Sequence, residues 1–423
     1  MGVGPGQYGA RMTVVEIALR ARAGGGAPVE RVVCHPTLPL VACLDSARPA
    51  VHVWDWGTGS LREVGTVGAE AAPYGDALDW DRTSRTPAVA WHPDQPLLLV
   101  AGEGGVVRWT PAGTSTPAGV PPGTSYRDLA FSPDGRVLLA SPSSDGAWDH
   151  SDVVDLATGA VEVGPRWDTG ITAHPAGGLV VTLCSDQGAT LGLFARVDPG
   201  LRVLDRALVL DVDGYEAPVF SADGRRLAIR GNAYENTLEV FDFPSLELVL
   251  STTLGSPSPG YPYPPEWLDE MHSWSRHNIA FGAPPGSLWV GTPAGELVEL
   301  DLDGERAVEH EVLDSPVTAL AAAAAGGLVV AGGNGELVLL SVTADPATAR
   351  VVDHEASRAA VATFLATASE VPGHDDLEER LVLTDGTRAW DAEELAGVTE
   401  AEATDPTWLR LRAAVNTARD RNA

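Results

Sequence analysis

The chain of 423 residues contains no lysine: all 28 basic residues are arginine, set against 58 aspartates and glutamates, for a formal charge of −30. A surface that tracks a nucleic-acid backbone needs a positive footprint, and anionic membranes attract polybasic segments, so this balance argues against both partners. A neutral or basic partner fits it better. Cysteine is scarce, with only Cys34, Cys43 and Cys184. An odd, sparse set is not a disulfide framework, and small buried residues are the preferred reading even for Cys34 and Cys43, which one hairpin could bring face to face. No run approaches the roughly 18 apolar residues that mark a membrane span. The opening stretch "MGVGPGQYGARMTVVEIALRARA" lacks the basic-then-apolar order of a secretory signal. These absences predict a reduced, cytoplasmic protein. The exclusive use of arginine, with abundant Ala, Gly, Val and Pro, fits a G+C-rich bacterial genome such as an actinobacterium's. Residues 1–10 read as a disordered tail, and Met12 as a candidate start.

Catalytic signatures are missing as well. There is no G-x-S-x-G elbow, no P-loop, and no G-x-G-x-x-G between a strand and a helix; "GVGPGQYG" (2–9) precedes any fold. "DVDGYE" (211–216) and "DLDGE" (301–305) contain turn dipeptides but not the ligand spacing of a calcium loop. His35, His92 and His174 share one "His-Pro" slot that Ser132 and Ser221 fill elsewhere, which predicts a turn role rather than a metal site. The sequence implies no cofactor and no metal.

What is present is a repeat. "FSPDGRVLLAS" (131–141) returns as "FSADGRRLAIR" (220–230) and more loosely as "WHPDQPLLLVA" (91–101), "CHPTLPLVACL" (34–44) and "AHPAGGLVVTL" (173–183). An alternating segment ending on an aromatic reads as a half-buried strand. Pro-Asp-Gly supplies a tight turn, and the apolar run that follows suits a strand buried on both faces. In 126–163, "DVVDLA", a Thr-Gly turn and "AVEVG" complete a four-stranded meander of about 40 residues, the unit length of propeller repeats. Third strands echo one another in "VHVWDWGTG" (51–59), "DVVDLATG" (152–159), "LEVFDFPSL" (238–246) and "LVELDLDGE" (297–305), each with an aspartate placed to hold turn amides.

With "FSPDG", "D-x-x-T-G" and the dipeptides Trp54-Asp55 and Trp390-Asp391, the chain resembles the WD40-like and related bacterial β-propeller repeats from about Val29 to Leu395. It departs from them at the Gly-His dipeptide, which occurs only as Gly373-His374. The resemblance implies an all-β fold: a single propeller over 11–395, followed by a linker and a short helix over 396–423. Units begin near Arg31, Ala88, Arg127, Gly170, Ala217, His277, Pro316 and Ala360, which predicts eight blades rather than seven. "RMTVVEIALRA" (11–21) is expected to close the ring by pairing with the last blade. In the tail, Asp405 and Pro406 signal a helix start, with Trp408, Leu411 and Val415 on one face.

Meander topology sends the first and third turns of every blade to one face, and the second loops and interblade links to the other. The long segments all belong to the second face: 68–87, 142–152, 231–237 and 255–278. They bring Tyr74, Trp80, Asp81, Trp148, Asp149, His150, Tyr234, Tyr261, Tyr263, Trp267, Trp274 and Arg276 there, together with Asp79, Asp269 and Glu270. Aromatics bury much area at low entropy cost and are typical of recognition surfaces. The expectation is a monomeric, non-catalytic interaction scaffold that binds a protein or peptide through this insertion face. The alternative is a small-ligand-binding or metal-dependent hydrolase-like propeller with a site at the channel mouth.

Overall fold

The repeated stretch forms the two inner strands of a blade. In blade 3, Asp128–Phe131 pairs antiparallel with Val137–Ser141 across the turn at Pro133, Asp134 and Gly135, and Ser151–Asp155 and Val161–Gly164 complete the meander. The computed structural model describes residues 13–422 apart from 24–25, 187–188, 198–199, 212–213, 232–234, 283–285, 325, 344–351, 373–376 and 378–379; the side chains of Asp79, Trp80, Asp186 and Asn422 are also outside the description, as is the tail expected at 1–10. Seven sheets form a β-propeller, with blades over 29–67, 88–115, 128–164, 169–210, 219–253, 279–311 and 317–343. Inner strands of neighbouring blades touch around the ring, and hydrophobic clusters fill the wedges between blades.

The short-turn face explains the His-Pro slot. His174 Nδ1 accepts the Ala176 amide within its own turn, and Nε2–H donates to the Gly224 carbonyl of the next blade at 3.0 Å. His35 does the same, receiving the Thr37 and Leu38 amides and donating to the Gln95 carbonyl at 2.8 Å. His92 caps its own turn through the Asp94 and Gln95 amides, and its ring packs on the next blade's Gly135, where a Cβ would stand 2.3 Å from Nε2. Gly135 also has φ +70°, so the turn and the close approach both require glycine. Ser132 and Ser221 serve the same turns with a hydroxyl, which accepts the Val137 or Arg226 amide. Three of the four third-strand aspartates behave as expected: Asp55, Asp155 and Asp301 each accept turn amides, whereas the Asp242 carboxylate pairs with Arg226 at 2.7 Å.

The blade count corrects the sequence reading: there are seven blades, not eight. The unit expected from Ala360 is a helix instead. Five helices accompany the blades among the described residues: α1 (Asp79–Arg85), α2 (Pro265–Ser273), α3 (His354–Ala366), α4 (Ala392–Gly397) and α5 (Thr407–Asn422). Asp353 caps α3 through the Glu355 and Ala356 amides, and five alanines within it favour helix over strand. Its buried residues Ser357, Val361 and Phe364 follow helical spacing and pack between blades 4 and 5. "RLVLTDGTRAW" forms a hairpin, Val382–Thr384 and Ala389–Trp390, that extends the outer edge of blade 4 to give a six-stranded sheet. Trp390-Asp391 is therefore no repeat signature: Trp390 ends the hairpin and Asp391 caps α4 in a capping box with Glu394. Gly373-His374 lies outside the described residues.

Ring closure by the N-terminal strand holds, one blade earlier than the count required. Val14–Arg22 pairs antiparallel with Glu336–Thr343 and supplies the outer strand of blade 7. Helix α5 docks on the body, though not by the expected face. The Thr407 amide is held by Asp211, just past the last strand of blade 4, at 2.9 Å, and Trp408, Leu409 and Ala413 are buried while Leu411 and Val415 are exposed.

Two outcomes follow. A chain starting at Ala23 loses all eight register pairs of the closing strand, and its thermal unfolding midpoint is expected to fall by on the order of 10 °C; an unchanged midpoint contradicts the closure. His174→Ala is expected to cost about 1–3 kcal/mol in chemical unfolding near neutral pH. Burial holds His35, His92 and His174 below their ordinary value of 6.5. The unfolded chain therefore takes up protons first, and this contribution is present above pH 6.5 and lost as pH falls below it. The penalty of the variant should shrink on acidification; a penalty independent of pH contradicts the clip.

Candidate functional site at the insertion face

The residues expected on the insertion face divide into those that order the loops and those that face solvent. Tyr74 is buried, with the Arg82 guanidinium 3.3 Å and that of Arg85 5.4 Å from its ring centroid. Arg82 ties this segment to blade 1 through Glu30 and the Ser46 carbonyl. Trp267 is buried on α2, where its Nε1–H donates to the Ser256 carbonyl, and Trp274 packs half-buried against the blade 5–6 cluster. Glu270 accepts the Ser256 amide, which closes the link on itself. These parts of the insertions therefore pack back over the propeller.

Other members stand out from it. Trp148 is 48% exposed, with the Arg127 guanidinium 4.5 Å from its ring. Its loop is braced by Asp145, which accepts the Ala147 amide, and by Asp152, which accepts both the Ser144 amide and the Tyr126 hydroxyl. Asp149 is exposed and lies 3.5 Å from half-buried His150. Tyr261 is 88% exposed and meets Tyr263 edge-on; Tyr263 in turn stacks on Trp267 at 4.9 Å. Asp81, Asp269 and Arg276 are at or near the surface. Tyr234 and the side chains of Asp79 and Trp80 lie outside the described residues. Among the described residues, no group of three His, Cys, Asp or Glu side chains stands close enough to hold a metal.

A second assembly was not anticipated. The inner strands line a central channel, and their first residues meet at its mouth on the same face. Arg31, Glu216, Arg230, Arg276 and His277 line a cavity of about 480 Å³. Arg31 also lines an adjoining one of about 280 Å³ with Arg127 and Asp128. Local backbone geometry aims Arg31. Blades 1, 4 and 7 each carry a register irregularity at the start of the inner strand, at Val29/Arg31, Thr169/Ile171 and Val317/Ala319, where one extra residue re-aims the chain. At the second of these, Gly170 turns its N–H onto the Asp128 carboxyl.

The electrostatics follow from burial. Asp128 is pushed up to about 7 by loss of solvent, against the opposing pull of Arg31 and the Gly170 amide. Burial holds His277 down at about 4 despite Glu216, whose carboxylate is 3.6 Å from its Nδ1. Arg230 is 1% exposed, and desolvation lowers it to about 10. Its guanidinium donates to Asn278 Oδ1, Asn236 Oδ1 and the Ser275 and Gly231 carbonyls, all neutral acceptors.

The signal for this site was in the repeat. Arg31, Asp128 and Gly170 stand four residues before His35, Ser132 and His174, while Arg127, Glu216 and His277 stand five before Ser132, Ser221 and Gly282. Aligning the repeats on the turn residue puts a charged or titratable residue at or just before the inner strands of blades 1, 3, 5 and 6, where a strand buried in a ring has little use for it.

No protein-family model and no curated protein matches the chain. No helix among the described residues is long and apolar enough to cross a membrane. The fold places the chain in the class of β-propellers.

Asp128 gives a pH test. Its folded value of about 7 lies above its ordinary 3.8, so the protonated form is favoured on folding. That contribution is whole below 3.8 and is lost as pH rises through about 7. It faces Arg31, Arg127, Glu216 and the Gly170 amide. Asp128→Asn, which stays neutral, should gain stability over the parent progressively across this window and hold the gain above it, as read by chemical unfolding at about pH 5 and about pH 8. An equal difference at both pH values contradicts the assignment.

Proposed function

We propose that the chain is a non-catalytic, WD40-like interaction propeller that binds a protein or peptide through its insertion face. The observation that carries this reading is the pair of braced, solvent-facing aromatics on that face, Trp148 and Tyr261. Each stands on a support that limits its motion: Trp148 on the Arg127 guanidinium and a hydrogen-bonded loop, Tyr261 on the stacked Tyr263 and Trp267. Large exposed rings held in place lose little entropy on binding, which is what interface anchors require. Asp81, Asp149, His150 and Arg276 supply a polar rim. The repeat grammar supports the WD40-like kinship. The charge of −30 and the sparse cysteines support a cytoplasmic monomer with a neutral or basic protein partner and no nucleic-acid or membrane partner.

The test is capture of partners from the source cell by the tagged chain, beside Trp148→Ala/Tyr261→Ala. Both substitutions remove exposed rings, so the double variant should keep the parent unfolding midpoint and lose the captured partner by about tenfold or more. Equal capture by a folded double variant sinks the reading.

A further inference from the structure

The channel mouth holds positive charge that the fold does not use. Arg31 is half-buried and Arg276 exposed, and among the described residues neither makes a side-chain hydrogen bond or an ion pair. This is notable in a chain with two carboxylates for every arginine. Behind them Arg230 is fixed in the wall, among the described residues, by neutral acceptors only. A buried guanidinium without a bonded carboxylate is costly to keep. Four guanidiniums, those of Arg31, Arg127, Arg230 and Arg276, meet two carboxylates, those of Asp128 and Glu216. Burial favours the neutral forms of Asp128 and His277, so the cluster is net positive inside a strongly negative protein. Beneath the mouth the wall turns apolar, with Val33, Val219, Ala280 and Phe281. The cavity volume lies within the range of small-molecule sites.

We propose that the channel mouth binds a small amphipathic oxyanion, a carboxylate or a phosphate, whose charged head is gripped between Arg31 and Arg276 and whose apolar body extends down the channel. The guanidinium fork matches both headgroups bidentately, and Arg230 adds a fixed positive charge behind the head. The site shares Arg276 and Arg127 with the aromatic face but none of its rings, so variants that remove only the rings separate the two readings.

The experiment is titration calorimetry of the full chain with phenyl phosphate, phenylacetate and neutral benzyl alcohol. Saturable binding of at least one anion, and none of the alcohol, is expected; which anion binds more tightly identifies the headgroup. Arg31→Gln/Arg276→Gln should weaken it by about tenfold or more, while Tyr261→Ala leaves it unchanged. The affinity of the parent chain should also fall several-fold from about 20 mM to about 200 mM salt, a readout that needs no variant. Failure of both anions to bind overturns the proposal. So does binding that survives unchanged in the folded double variant, or that is insensitive to salt.

Discussion

The antiparallel pairing of Val14–Arg22 with Glu336–Thr343 is the constraint on which the rest of the structure depends. A meander of blades has two open ends, and an unpaired strand edge invites aggregation. Here the start of the chain becomes the outer strand of blade 7, so backbone hydrogen bonds hold blade 1 and blade 7 together. Closure also sets the circumference. With seven wedges in the ring, each inner strand faces the axis, and residues far apart in sequence meet at the mouth: Arg31 from blade 1, Asp128 from blade 3, Glu216 from the approach to blade 5 and His277 from the approach to blade 6. The two faces then acquire different tasks. On one, His35, His92 and His174 link successive turns; on the other, loops free of that duty lengthen and carry aromatics.

The charge distribution separates surface from site. Fifty-eight carboxylates keep the exterior negative, which favours solubility. At the mouth burial acts the other way. It leaves Asp128 and His277 short of charge while Arg230, lowered only to about 10, remains cationic. A net charge computed over the whole sequence averages the site out of view. It argues against a nucleic-acid footprint, yet it conceals a small positive centre within the ring.

The architecture was legible because its signals are local. A Pro-Asp-Gly turn between an alternating strand and an apolar run needs no knowledge of distant residues, and seven of the eight expected units are blades. The eighth failed where two periodicities compete. "AAVATFLATAS" is apolar enough for a strand, but Asp353 caps a helix, and Ser357, Val361 and Phe364 bury at helical spacing. In α5 the spacing of Trp408, Leu411 and Val415 gave the wrong face, because the helix packs Trp408 and Leu409 against Trp390 and Leu395, and Asp211, just past blade 4, holds the Thr407 amide at its start. Tyr74 and Trp267 look like Trp148 and Tyr261 in a sequence; only packing separates rings that order a loop from rings that face solvent. The mouth required both kinds of knowledge. Charge at a fixed offset before the turn is written in the repeats, but its convergence depends on closure.

The central claim is that closure gathers these strand starts into a site for an oxyanion. A crystal structure of the full chain soaked with phenyl phosphate tests it most directly. Phosphate density is expected between the Arg31 and Arg276 guanidiniums, with the ring directed down the channel toward Phe281. An empty mouth at saturating ligand, or phosphate bound only elsewhere on the surface, contradicts it.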